Sequence, residues 1–279
     1  MLYRLILLLL VAALCIHGSA ESPVELVTIE AGELPLILTA PHGGGEAIDD
    51  VPKREGDGIR LLRTLSDSGT DRLALELADA IEQRSGKRPF IIVAHFHRKF
   101  IDANRPADLA YESPNAAATY QQYHAAIEQA RRQITERWGH GLLIDIHGQG
   151  ANPQAIFRGT QNGLTMTHLT NRFGRKALIG PESLFGELAT QGIEVVPRID
   201  SEENEDPRYD GGFTVVTYGS GRGGTIDAIQ LELGRSFRMK TAIESTAKML
   251  ANAIVAFSDQ HLPQREQNVP ATAVGAGSE

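Results

Sequence analysis

Short apolar runs punctuate the chain at Leu34 to Thr39, Phe90 to Ala94, Leu142 to Ile146, Val195 to Pro197 and Ala228 to Leu233. Each ends in glycine or a polar loop and predicts a strand. Helical patterns lie between them. Asp71 to Arg84 carries Leu73, Leu77 and Ile81 at four-residue spacing, with Ser68 or Thr70 available as an N-cap. Asn115 to Trp138 reads as a second helix, stopped by Gly139 and Gly141, and Ser236 to Phe257 as a third. Alternating strands and helices predict an α/β fold in three layers, a mainly parallel or mixed central sheet flanked by helices.

Ser201 to Gly224 reads as a loop. It opens with Glu202, Glu203, Glu205 and Asp206, passes Pro207, and closes with Gly211-Gly212 and the Gly219 to Gly224 cluster. A loop this long either covers a substrate or is a plain surface excursion. At the chain's start, Arg4, the apolar run Leu5 to Ile16 and Gly18-Ser19-Ala20 form the pattern of a secretory signal cut after Ala20. That run is shorter than the roughly 20 residues that span a bilayer. The expected organisation is therefore a signal over 1–20, one α/β domain over 21–262 and a small, polar, disordered tail over 263–279. The mature protein is expected to be exported, periplasmic or secreted, with no stable membrane span.

Charge narrows the partners. With 35 acidic and 27 basic residues, the formal charge of −8 disfavours nucleic acid and anionic lipid. Cys15, the one cysteine, lies inside the signal, so any metal site must draw on His, Asp and Glu.

The unusual polar residues fall at strand ends, where open α/β sheets bind ligands. His42 follows the first apolar run in Thr39-Ala40-Pro41-His42-Gly43-Gly44-Gly45, Asp145-Ile146-His147 ends the third, and Glu232 ends the last. The glycines after His42 would let backbone approach a ligand. On its own, His42 could equally be a turn histidine bonded to backbone. His147 leaves its strand on the same side as Asp145, a carboxylate able to orient its ring. A hydrolytic zinc centre takes three protein ligands, so a carboxylate should join the two histidines, and Glu46, Asp67 and Asp71 compete for that place. Between the second and third runs, Arg98, Asn104 and Arg105 suggest recognition of a substrate carboxylate, against the alternative of an Arg98 to Asp102 surface salt bridge.

The segments Pro41-His42-Gly43-Gly44, Asp67-Ser68-Gly69-Thr70, Arg98 with Asp102-Ala103-Asn104-Arg105, Asp145-Ile146-His147-Gly148 and Gln230-Leu231-Glu232 resemble the ordered motifs of the N-formylglutamate amidohydrolase family, itself related to the zinc carboxypeptidases. The similarity runs from about Thr39 to Arg235. It implies a zinc-carboxypeptidase-like fold and an amide hydrolase with one zinc ion held by His42, Asp67 and His147. It further implies Glu232 as the base toward the attacking water, Arg98 as the oxyanion stabiliser, and Asn104 with Arg105 as the grip on a substrate carboxylate. Manganese or iron would also accept two imidazoles and a carboxylate.

Two departures matter. The carboxypeptidase relatives place a glutamate three residues after the first histidine, where this chain has Gly45. The signal conflicts with cytoplasmic histidine breakdown and argues against formylglutamate as the substrate. The expected substrate is an N-acyl amino acid, a peptide or a related molecule bearing a free carboxylate. The alternatives are a cell-wall peptide amidase and a non-catalytic exported binding protein on the same fold.

Overall fold

The computed structural model of the chain describes residues 25–56 and 62–262. The expected signal over 1–20, with Cys15, and the expected tail over 263–279 lie outside the described residues.

Seven strands form one mixed sheet among the described residues: β1 (Val27–Glu30), β2 (Leu36–Ala40), β3 (Phe90–Ala94), β4 (Gly141–Gly148), β5 (Ala155–Gly159), β6 (Glu194–Val196) and β7 (Ile226–Leu233). Their order is β1-β3-β2-β4-β7-β5-β6. The central strands β3, β2, β4 and β7 run parallel, while β1 lies antiparallel to β3 and β5 antiparallel to β7. The helices are α1 (Thr70–Ser85), α2 (Ala107–Ala110), α3 (Ala117–Trp138), α4 (Thr167–Phe173), α5 (Lys176–Ile179), α6 (Leu184–Thr190), α7 (Phe213–Tyr218), α8 (Arg235–Arg238) and α9 (Ile243–His261). None of the described helices is long and apolar enough to cross a membrane.

The period-2 pleat divides the core in two. Leu36, Leu38, Ile144, Ile146 and Leu231 face one way, toward Leu73, Leu77 and Ile81 of α1 and toward α6 and α9. Ile37, Leu143, Ile226 and Ala228 face the other way, toward Tyr123, Ile127 and Ile134 of α3 and Val215 of α7. This is the expected three-layer α/β arrangement, with helices on both sides of a mixed sheet.

The differences from the sequence reading have local causes. The edge strand β1 is only four residues long, and β5 carries the buried Arg158 in mid-strand, so neither shows as an apolar run. The segment read as one loop over 201–224 contains α7, whose sequence Phe-Thr-Val-Val-Thr-Tyr has poor intrinsic helix propensity. Tertiary contacts form it: Thr214 N donates to Asn104 Oδ1 at 2.8 Å, and Val215 is fully buried. The N-cap of α1 is Gly69 at φ 88°, with no side-chain cap, instead of Ser68 or Thr70. The third predicted helix is broken into α8 and α9.

One polar anchor holds the acidic segment to the sheet. Glu205 is buried and accepts from Arg158 Nε at 2.8 Å, Thr160 N at 2.7 Å and Asn162 N at 2.9 Å. The absence of a Cβ at Gly159 lets the chain at Tyr209 to Gly211 lie directly on β5, since an added Cβ would sit 2.6 Å from Tyr209 O. Removing Glu205 would leave Arg158 an uncompensated buried cation. We therefore expect Glu205→Ala to lose about 3 kcal/mol or more by urea denaturation. Glu202→Ala, an exposed control, should stay within about 0.5 kcal/mol of the parent. Equal stability of both variants would refute the anchor.

Candidate metal centre

The site stands at the carboxyl ends of the central strands. In-register parallel pairing sets Asp145 beside Gln230 and His147 beside Glu232. Alternation puts all four on the sheet face that carries Leu143 and Ala228, the face covered by α3 and α7. Thr39, paired with Asp145 across β2 and β4, donates its hydroxyl to Asp145 Oδ1 at 2.6 Å. A register slip of one residue would turn the whole set to the opposite layer.

His42 follows β2, with its ring 4.8 Å from that of His147 between centroids. The far nitrogens of both rings are held by carboxylates: His42 Nε2 lies 2.6 Å from Asp102 Oδ1, and His147 Nε2 lies 2.8 Å from Asp145 Oδ2. The near nitrogens converge on one oxygen. His42 Nδ1 is 3.4 Å and His147 Nδ1 3.3 Å from Asp67 Oδ2, which also accepts Gly148 N at 3.1 Å. His42, Asp67 and His147 thus form a triad able to hold a divalent cation, with one donor atom from each within 4.8 Å of the others.

The residues fit such an ion. His42 Nδ1 is buried and has no hydrogen-bond partner, a costly state for an imidazole nitrogen unless it ligates. Two nitrogens and one carboxylate oxygen, with carboxylates behind both imidazoles, form a donor set suited to a divalent cation. Of the competing carboxylates, Glu46 is exposed and engaged through its backbone with His95 and His97, while Asp71 lies in the first turn of α1. Neither belongs to the triad.

The glycines after His42 serve a different purpose from the expected one. A Cβ at Gly43 would meet Asp71 N at 2.2 Å, and one at Gly44 would meet the His95 carbonyl at 2.2 Å. They let the protein's own elements pack together, whereas Gly45 faces open space.

Electrostatics within the site are strongly coupled. Burial alone would raise Asp67, but its contacts with His147 and His42 bring it well below the usual carboxylate range. Burial would likewise raise Asp102, yet His42 and Arg98 hold it low. His147 is lowered by burial and raised more by Asp145, Asp67 and Glu232, ending at about 10. Burial pushes Glu232 up to about 7, assisted by Asp67 and opposed by His147 and by Gln230, whose Nε2 donates to Glu232 Oε1 at 2.8 Å.

Arg98 does pair with Asp102, through Nε at 3.0 Å and Nη2 at 2.8 Å, but the pair is buried and not on the surface. Asp102 is therefore shared between Arg98 and His42. Sequence reasoning gave Asp102 no role of its own, although its place four residues after Arg98 was the available signal. Asn104 is buried against Gly212, with its Oδ1 occupied by Thr214 N. Arg105 is half-buried, with Nη1 on the Asn104 carbonyl.

Arg238 was missed as well. It lies over Gly148, where a Cβ would meet its guanidinium carbon at 2.4 Å, and donates to Leu233 O and Ser68 O beside Asp67. All of the predicted site residues, His42, Asp67, Arg98, Asn104, Arg105, His147 and Glu232, line one cleft of about 880 Å³.

No protein-family model matches the chain, and no curated protein does. Among solved structures, the fold is similar to that of N-formylglutamate amidohydrolase from Ralstonia eutropha JMP134. The TM-score is 0.57 at 16% identity, over 85% of this chain and 99% of that one. It is also similar to a gene product of Agrobacterium tumefaciens, with a TM-score of 0.57 at 15% identity, over 85% of this chain and 96% of that one. At these identities the likeness is one of fold.

Metal analysis of the purified protein tests the triad. His42→Ala, Asp67→Ala and His147→Ala should each abolish stoichiometric zinc, while Glu46→Ala and Asp71→Ala keep it. Asp102→Ala should weaken affinity by roughly 10- to 100-fold by removing the acceptor behind His42. Full zinc occupancy in both histidine variants would eliminate the site.

Proposed function

We propose that this protein is a metal-dependent amide hydrolase, with zinc as the expected ion, acting on an N-acyl amino acid, a peptide or a related substrate bearing a free carboxylate. One observation carries the reading: two imidazoles backed by carboxylates converge with Asp67 at strand ends beside a buried carboxylate raised to about 7. A binding site alone would have no use for a buried carboxylate such as Glu232, set beside His147 by the pairing of β4 with β7. The fold shared with the Ralstonia amidohydrolase is consistent with this chemistry.

When bound, the ion supplies Lewis-acid polarisation and makes water a better nucleophile at neutral pH. The chain's residues do the rest. Glu232 accepts a proton as water adds to the amide carbonyl carbon and returns it to the nitrogen as the C–N bond breaks, releasing an amine and a carboxylic acid. Gln230 keeps Glu232 in place through its 2.8 Å hydrogen bond. Arg98 commits Nε and Nη2 to Asp102, which leaves Nη1 to oppose charge growing on the carbonyl oxygen. Arg105, with Nη1 anchored to the Asn104 carbonyl, presents the rest of its guanidinium to a substrate carboxylate, while Asn104 Nδ2 lies 3.4 Å from His147 Nε2 in the same cleft. We include export in the proposal on the strength of the segment over 1–20. N-terminal sequencing of secreted or periplasmic protein should then begin at Glu21.

Two measurements address the mechanism. Glu232→Gln should keep its zinc and fold yet lose at least 100-fold in kcat, the usual contribution of a general base. Retention of kcat would remove Glu232 from the chemistry. Amidating the substrate carboxylate should lower kcat/KM by about thirtyfold to several thousandfold, the equivalent of about 2 to 5 kcal/mol. Arg105→Ala should reproduce most of that loss and erase the difference between the acid and amide substrates. Equal turnover of acid and amide by the parent enzyme would contradict recognition of a free carboxylate.

A further inference from the structure

A second hollow of about 510 Å³ adjoins the metal-bearing cleft and shares Ser66 and Arg238 with it. Its charged lining consists of Arg72, Arg235, Arg238 and Lys240, with no carboxylate among the lining residues. The side chains of Arg72, Arg235 and Lys240 are exposed and make no hydrogen bond or ion pair among the described residues. Some other exposed cations of this chain find partners, Arg175 with Glu202, Arg208 with Asp206 and Lys248 with Glu244, while these three have none among the described residues.

The bulk charge of the chain makes this concentration harder to explain by chance. At −8, an average surface position has more acid than base around it. Four cations around one concavity repel one another, and Arg235 lowers the pKa of Arg238 in addition to the larger effect of burial. An anion placed among them would relieve that repulsion. Arg238 is the physical link, because the side chain that lines this hollow also lies over Gly148 and fixes the Asp67 loop through Ser68 O.

We infer that this hollow is a subsite for a second anionic group, so that the substrate is an extended polyanion with acidic groups beyond the one held near Arg105. An acidic peptide is the chemistry that fits: its side-chain carboxylates recur along an extended backbone that can cross Arg238 from one concavity to the next. This inference rests on the hydrolase reading for its direction, but binding can be measured without turnover.

The test uses two peptides, N-acetyl-Glu-Glu-Glu and N-acetyl-Gln-Gln-Glu, which share a terminal residue and differ in two side-chain charges. Titration calorimetry in the zinc-loaded Glu232→Gln protein keeps both intact. The triglutamate should bind about tenfold more tightly than its diglutaminyl analogue at moderate salt, with the difference shrinking as salt rises. Arg72→Gln/Lys240→Gln, and separately Arg235→Gln, should reduce that preference toward unity and leave the affinity for the analogue unchanged. Equal binding of the two peptides, or an unchanged preference in both variants, would overturn the subsite. Turnover of simple N-acyl amino acids by the parent enzyme reports on the hydrolase reading separately. That activity with no peptide preference would reject the subsite alone.

Discussion

Asp102, Asp145 and Glu232 are buried, and Asp67 is nearly so, within reach of two imidazoles, and this concentration of acid is the constraint around which the structure is organised. An ionised carboxylate taken out of water costs several kcal/mol unless charge and hydrogen bonds compensate it. Each one here has a named compensation. Asp102 has Arg98, Asp145 has the Thr39 hydroxyl and His147, Glu232 has Gln230, and Asp67 has the Gly148 amide and both histidines. Asp145, Asp67 and Glu232 raise His147, and a metal ion taking the place of its proton would preserve the same charge balance. That substitution of a metal ion for protons is the usual coupling between ligand pKa and metal affinity.

The surrounding fold can be understood as the means of holding this balance in register. Parallel pairing of β4 with β7 is what brings residues 85 positions apart, His147 and Glu232, side by side. The segments without regular structure are tied to the same centre. Asn104 bonds to Thr214 at the start of α7 and lies 3.4 Å from His147, Gln230 Oε1 accepts Gly212 N, and Arg238 fixes the turn that carries Asp67. The chain over 206–212 is thus restrained at both ends, by Glu205 on β5 and by Gln230 and Asn104 on the cleft side. Asn104, Gln230 and Arg238 act as positioning groups, so their loss should disturb geometry before it disturbs stability, whereas Glu205 carries stability as well.

Five of the strands and the three longest helices could be read from the sequence pattern, with α8 run into α9, because that signal depends on which side chains are buried. Chemistry-bearing residues at strand ends were legible for a related reason: a polar side chain interrupting an apolar run needs a partner. Choosing among Glu46, Asp67 and Asp71 could not be done by spacing, since the deciding fact is that Asp67 N bonds to His42 O and draws the two loops together. Helix α7 was hidden because its β-branched sequence forms a helix only against Asn104 and the core. Arg54 and Arg238 were hidden for a similar reason. Both are arginines in polar stretches whose burial comes from the fold, with Arg54 donating to Arg63 O and Arg98 O behind the site.

The cations of the cleft are graded by depth, and the grading has a consequence for turnover. Arg98 is buried and neutralised by Asp102, Arg105 is half-buried, and Arg63 and Arg208 at the rim are exposed. Hydrolysis of an amide creates a new carboxylate, so a cleft lined uniformly with buried, unpaired cations would hold its product too tightly. Exposed cations are screened within about 8 Å at physiological ionic strength and are each worth about 1 kcal/mol or less. They can raise the rate of encounter with an anion against the repulsion of a body of charge −8 without adding much to its residence time. The tight interactions are thereby confined to the reacting end beside His42 and His147 and to the carboxylate contact at Arg105. A substrate held by its reacting end and by the carboxylate at Arg105, with weaker screened contacts elsewhere, loses part of that hold once the amide bond has been cut.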